Sequence, residues 1–167
     1  MSLPASLRDR LRLPLIAAPM FLVSGPALVT AACRAGVIGS FPTANCRTVE
    51  ELAAWLGGMV DDAKRAADTE GRAAAPWCPN LIVHRSNPRV PEDLAAVLRH
   101  KAEIVITSVG SPEPVMKPLK DAGCLVLADV ASVRHAEKAV AAGVDGLVLL
   151  SAGAGGQTGW ANPFAFV

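Results

Sequence analysis

The densest concentration of unusual chemistry in the chain is Ser151-Ala152-Gly153-Ala154-Gly155-Gly156-Gln157-Thr158-Gly159-Trp160. Glycines this close together let backbone approach a flat or anionic ligand and leave N–H groups free as donors. The stretch lacks the Gly-Lys-Ser/Thr of a nucleoside-triphosphate loop. Its spacing only loosely imitates a dinucleotide fingerprint, and it follows the sixth apolar run of the chain rather than the first. Further candidates stand where apolar runs end: Ala18-Pro19-Met20, Phe41, His84-Arg85-Ser86, Thr107-Ser108 and Asp129-Val130. Among the three histidines, His100 and His135 fall on helical stretches where surface roles are the default, and His84 leaves a strand. Asp129 ends an apolar run, where it either faces a ligand or caps the helix that opens near Ser132. Asn80 is expected at the opposite end of its strand from these candidates.

These residues need a scaffold, and the hydrophobic pattern supplies one. Apolar runs at 14–18, 37–40, 80–84, 103–107, 125–130 and 146–150 read as strands. Helical stretches at 26–35, 48–68, 90–100, 114–122 and 132–142 follow them in alternation. Thr48 with Glu51 three residues later forms a capping-box signature. Ala35-Gly36, Ala122-Gly123 and Ala142-Gly143 stop helices and lead straight into strands. Strict alternation of this kind implies parallel strands with right-handed crossovers. An open doubly wound sheet and a closed (β/α)₈ barrel both satisfy it, and the recurrence of very short helix-to-strand connections favours the barrel. In a barrel the loops after the strands carry the site, which is where the candidates stand. Asn162-Pro163 reads as the start of a further helix, so residues 1–167 are expected to form one TIM-barrel domain truncated after about six βα units, with the seventh and eighth strands missing.

Composition narrows the functional classes. Hydrophobic residues make up 51% and charged residues 19%, which excludes global disorder. The formal net charge of +1, without basic or acidic runs, gives no sign of a nucleic-acid or anionic-membrane partner. Cys33, Cys46, Cys78 and Cys124 form no C-x-x-C pair, so neither a zinc site nor a disulfide framework is expected, and a cytoplasmic setting is. Arg8, Arg10 and Arg12 precede an uncharged stretch, but Pro14, Pro19 and Pro26 interrupt it as they would no signal helix.

Several of these segments together resemble one family. Pro14-Leu15-Ile16-Ala17-Ala18-Pro19-Met20 resembles the opening strand of the nitronate monooxygenases, also called 2-nitropropane dioxygenases. Asn80-Leu81 resembles their third-strand motif. Ser132-Val133-Arg134-His135-Ala136 with Ala142-Gly143-Val144-Asp145 resembles their fifth helix and the approach to strand six. Gly155-Gly156-Gln157-Thr158-Gly159 is similar to their Gly-Gly-His-x-Gly loop with one change. The likeness runs from about Leu11 to the last residue. It implies an FMN-dependent oxidoreductase that oxidises alkyl nitronates with O₂, the flavin lying across the barrel mouth. The matching positions for flavin contact are Ala18, Pro19, Met20, Asn80, Gly155 and Gly156. Thr107 and Asp129, leaving the fourth and fifth strands, are expected to face the cofactor too. The family holds the FMN phosphate through loops after strands seven and eight, which the chain lacks.

Gln157 stands where better-characterised members carry a catalytic histidine. An amide orients an anionic substrate oxygen but cannot take a proton near neutral pH. The resemblance with this change implies an enzyme for nitronates that hardly touches neutral nitroalkanes. Two other readings stay open. An FMN-dependent enoyl-ACP reductase using NADH shares the barrel and the glycine loop. Alternatively the chain is catalytically incomplete and pairs with itself or with a partner through its open barrel edges. A barrel dehydrogenase acting on purine nucleotides would need a nucleophilic cysteine that residues 151–160 do not contain.

Overall fold

Each apolar run forms its strand, and each strand hands the chain to a helix that packs back across it. The computed structural model describes residues 3–167. After a short helix α1 (Ala5–Arg8) come β1 (Ile16–Ala17), α2 (Pro26–Arg34), β2 (Ile38–Pro42), a 3₁₀ turn (Thr43–Asn45), α3 (Val49–Glu70), β3 (Trp77–Ile82) and α4 (Val90–Arg99). Then follow β4 (Ile104–Ser108), α5 (Glu113–Asp121), β5 (Leu125–Val130), α6 (Val133–Ala141), β6 (Gly146–Leu149) and α7 (Pro163–Phe166). The six strands lie side by side in chain order, every neighbouring pair parallel. A doubly wound sheet would reverse its strand order at a switch point. No reversal occurs, so this is the wall of a (β/α) barrel.

The wall has two chemically distinct faces. On the outer one, Phe41, Leu81, Val105 and Val126 pack against Leu52, Leu56 and Met59 of α3, Val97 of α4, and Val115 and Leu119 of α5. On the inner one, Ile38, Cys78, Ile104 and Ile106 gather around Leu7 of α1, with Ile16, Leu125 and Leu127 at the margin. Side chains alternate faces along a strand. That alternation assigns Asn80, Ser108 and Asp129 to the inner face, each lying past the apolar layer toward the strands' C-terminal ends. Leu7 plugs the opposite end. Arg10 tethers α1 there through a 2.6 Å ion pair with Glu103.

Local chemistry explains the boundaries. Thr48 Oγ1 accepts the Glu51 N–H at 3.2 Å, and Glu51 in return accepts the Arg47 N–H at 2.7 Å. Ser132 caps α6 by accepting from the His135 N–H, and Asn162 caps α7 by accepting from Phe164. The paired glycines after α2, α5 and α6 all turn with left-handed φ, between 78° and 89°. Two expectations need correcting. The third strand starts at Trp77, not at residue 80, because Pro79 sits within the ladder opposite Phe41. Asn80 is therefore the fourth of six strand residues, on the site side of the strand, and not at its far end. The four residues of α1 are too few to show a helical period in the sequence.

Candidate active site at the barrel rim

A polar layer crowns the apolar inner face. Asn80 is buried, and its Nδ2 donates to Ser108 Oγ at 2.5 Å and to the Ile106 carbonyl at 3.3 Å. Burial raises the Asp129 carboxyl above its ordinary value, while the neighbouring Ser108 hydroxyl and Val109 N–H act in the opposite direction. Three adjacent strands thus present polar groups to the same inner face. Ser40, on the same face of β2, donates to the Ala17 carbonyl at 2.5 Å and ties β1 to β2. Val109 follows Ser108 with φ +57°, a conformation a β-branched residue avoids. Asp129 does not cap α6, since Ser132 fills that role.

Thr107 does not join this layer. It shares a strand face with Val105, which belongs to the sheet–helix core, and its Oγ1 donates to the Leu127 carbonyl at 3.2 Å. The structure therefore turns Thr107 toward the helix layer and Ser108, one residue on, toward the barrel interior, because adjacent strand residues point to opposite faces.

The loop after β1 carries Ala18, Pro19 and Met20 over the same rim. Its shape is fixed by two residues that sequence reasoning missed. Buried Ser24 accepts the Met20 N–H at 3.0 Å and donates to the Ala18 carbonyl at 3.3 Å. Asn45 accepts the Leu22 N–H at 2.9 Å and donates to the carbonyls of Met20 and Ser24. That clamp holds Leu22 at φ +61° and leaves Phe21, Leu22 and Val23 exposed. Nothing in the sequence marks Asn45, which lies beyond the next strand.

The glycine loop closes the rim over β6. Thr158 Oγ1 donates to the Ser151 carbonyl at 2.6 Å, and the Ala152 N–H reaches the Ala161 carbonyl at 2.8 Å. The glycines divide into two kinds. A Cβ at Gly159 would collide with the Leu150 carbonyl oxygen and stand 2.8 Å from that of Ala131, so this residue seats the loop on the sheet. A Cβ at Gly155 or Gly156 would meet nothing within 4 Å, so these two line open space. Gln157 is exposed, and its side chain makes no hydrogen bond among the described residues. His84 is also exposed, and its Nδ1 lies 2.7 Å from Ser86 Oγ within its own turn. Loop residues 153–159 and Met20 both follow the C-terminal ends of parallel strands, hence the same rim.

Other chemistry falls away. All four cysteines are free and buried, and burial pushes the Cys33 thiol up to about 11 and the Cys46 thiol up to about 12, leaving them protonated and inert. Among the described residues no cluster of His, Cys, Asp or Glu could hold a metal ion, and no helix is long and apolar enough to cross a membrane. A cleft lined by Cys33, Met59 and Trp77 and a groove between α3 and α4 both lie outside the barrel wall.

Comparison with known proteins agrees with this architecture. The chain is 30% identical to a nitronate monooxygenase of Paraburkholderia phytofirmans over 92% of its own length and 49% of the relative's. It is 25% identical to a (3aS,4S,5R,7aS)-5-hydroxy-7a-methyl-1-oxo-octahydro-1H-indene-4-carboxyl-CoA dehydrogenase of Mycobacterium tuberculosis, covering 38% of that protein. The chain therefore spans about half the length, or less, of these curated relatives. Among solved structures, FabK from Thermotoga maritima superposes with a TM-score of 0.78 at 21% identity, over 99% of this chain and 50% of that one, and supports the fold alone. A nitroalkane oxidase from Streptomyces ansochromogenes superposes with a TM-score of 0.69 at 26% identity, over 93% of this chain and 51% of that one. The family model described as nitronate monooxygenase matches residues 7–165. With nearly the whole chain covered by that match, the protein belongs to the nitronate monooxygenase family of oxidoreductases.

Proposed function

We propose that this chain forms the ring-facing part of an FMN-dependent nitronate monooxygenase that acts on alkyl nitronates with O₂ in the cytoplasm. The reading is carried by one observation. An inward layer of Asn80, Ser108 and Asp129 shares its rim with a backbone pair, Gly155-Gly156, that opens onto empty space. Such a site fits the ring of a flavin, with an apolar floor, directional polar groups at one edge and side-chain-free backbone above. Ala18, Pro19, Met20, Asn80, Gly155 and Gly156 would hold the ring. Residues holding the phosphate are not among them. When bound, FMN supplies the redox chemistry with substrate and O₂.

The chain's own residues then set substrate form. Exposed Gln157 offers an amide that donates to a substrate oxygen, and it has no proton-accepting capacity at neutral pH. A nitronate arrives already deprotonated, so orientation suffices. A neutral nitroalkane needs a base, which a histidine at this position would provide and which contributes about 10²–10⁴-fold in rate. The test compares turnover of ethyl nitronate and nitroethane by the full-length protein at neutral pH. Nitronate should be favoured at least about a hundredfold, and Gln157→His should raise nitroethane turnover selectively. Equal turnover of the two forms by the unmodified enzyme defeats the reading. Anaerobic flavin bleaching by NADH would point instead to an enoyl-thioester reductase.

A further inference from the structure

The Asn80 amide has a defined orientation. One neighbour of its Nδ2 is the Ile106 carbonyl at 3.3 Å, a group that can only accept, so the atom facing it must be the nitrogen. The other neighbour is Ser108 Oγ at 2.5 Å, which therefore also accepts. Both amide hydrogens are engaged by protein. A hydroxyl that accepts from one side has its own hydrogen free for another, and the β4–β5 register, with Thr107 opposite Ala128, sets Asp129 beside Ser108 on the same face of the next strand. The Asn80 oxygen has no partner among the described residues, and it is not sealed from solvent.

We propose that Ser108 and Asp129 are positioning residues that lock the Asn80 side chain with its oxygen free at the rim, so that position 80 accepts a hydrogen bond from an N–H-bearing ligand edge. The direction of donation runs from Asn80 to Ser108 to Asp129. Each link fixes the next, and the carboxylate at the end sets the polarity of the whole series. Protonated Asp129 can no longer hold the Ser108 hydrogen as an ionised carboxylate does, and the lock loosens. β6 and residues 151–160 contribute no ionisable side chain, and β4 contributes Ser108, followed by the Val109 N–H. β3 contributes Asn80, and the exposed His84 and Arg85 follow it in a turn where His84 Nδ1 lies against Ser86 Oγ. No charged group is among the causes that raise the Asp129 pKa.

The ligand class follows from the free oxygen. An imide or lactam edge carries an N–H that matches it, and so does the isoalloxazine ring of the proposed flavin. This part rests on the proposed function, so the experiment has one arm that needs no flavin. In the ligand-free full-length protein, the side-chain amide signals of Asn80 are followed by NMR against pH. They should shift in one step above the ordinary carboxylate range and exchange slowly on the alkaline side. Asp129→Asn should abolish the step and keep slow exchange, because the introduced amide oxygen still accepts from Ser108. Ser108→Ala should abolish both, and Ser108→Thr, which keeps the hydroxyl, should restore both. An Asn80 signal that ignores pH, or a step that survives in Ser108→Ala, overturns the proposal.

The second arm measures binding of lumiflavin and 3-methyllumiflavin, which lacks the ring N–H. The unmodified protein should prefer lumiflavin by about tenfold, the worth of one hydrogen bond, and Ser108→Ala should erase most of that preference. Equal binding of the two by the unmodified protein overturns the acceptor assignment. If neither flavin binds while the NMR step behaves as stated, the lock stands and the flavin reading falls.

Discussion

A carboxyl group placed past Leu125 and Leu127 pays for its charge in lost hydration, and Asp129 has no cation to compensate it. The Ser108 hydroxyl and the Val109 N–H offset part of the loss, and the folded-state pKa remains above the unfolded one. The folded protein then binds more protons than the unfolded chain between those two values, so stability falls as pH rises through that window. Below the unfolded pKa both states are protonated, and the penalty vanishes. Asp129→Asn keeps the shape and removes the titration. Compared by urea denaturation, the variant should match the parent in acid and exceed it in stability at neutral pH. A parent that gains stability relative to Asp129→Asn as pH rises would reverse the sign of this account. A destabilising residue at a rim is what a site shaped for ligand rather than stability would contain.

Between the elements, the glycines of residues 151–160 make the sharpest separation of structure from function. Gly159→Ala drives a methyl into the Leu150 carbonyl oxygen at the end of β6, so the loop must lift, and melting should drop by several degrees. Gly155→Ala meets open space and should leave melting within about 1 °C while weakening flavin binding at least about tenfold, because the methyl occupies the ligand's volume. Calorimetry with a flavin titration on both variants decides this. Equal loss of binding without loss of stability in Gly159→Ala would show the assignment to be inverted. The loop after β1 has its own anchor. Asn45→Ala removes three hydrogen bonds, frees Leu22 from its left-handed conformation, and should cost about 1–2 kcal/mol by denaturant unfolding. The same contrast explains what could be read from the sequence. The alternation of strands and helices, the Thr48 cap and the glycine loop announce themselves through period and local spacing. Asn45, Ser24 and Ser108 act through contacts 4 to 28 residues away in sequence, and no local pattern shows these pairings, even where Ser108 itself stands at a visible strand end. Thr107 and Ser108 differ in phase. A strand end is visible in an apolar run, but which of two adjacent residues faces inward depends on register with neighbouring strands.

At the scale of the whole molecule, the barrel wall has two free margins among the described residues. β1 pairs only with β2, and β6 only with β5. Each margin presents unpaired backbone groups, and apolar side chains accompany them: Leu13 and Leu15 beside β1, Val133 and Val140 on α6, Trp160 and Phe164 past β6. Burying one such aliphatic or aromatic side chain is worth about 1.5–3 kcal/mol, and an open strand edge is a template for further pairing. A net charge of +1 offers almost no repulsion against it. The 167-residue chain on its own is therefore expected to associate. Sedimentation velocity across a hundredfold range of concentration should show mass increasing with concentration, and flavin added to these species should bind weakly. Charged substitutions at one margin test the cause: Leu13→Lys with Leu15→Lys should shift the distribution toward monomer, since edge lysines block strand addition without touching the rim. A 167-residue monomer that stays monodisperse and holds flavin with a stable spectrum would mean that these margins are not energetically open, and that the six-stranded wall is a finished structure in its own right.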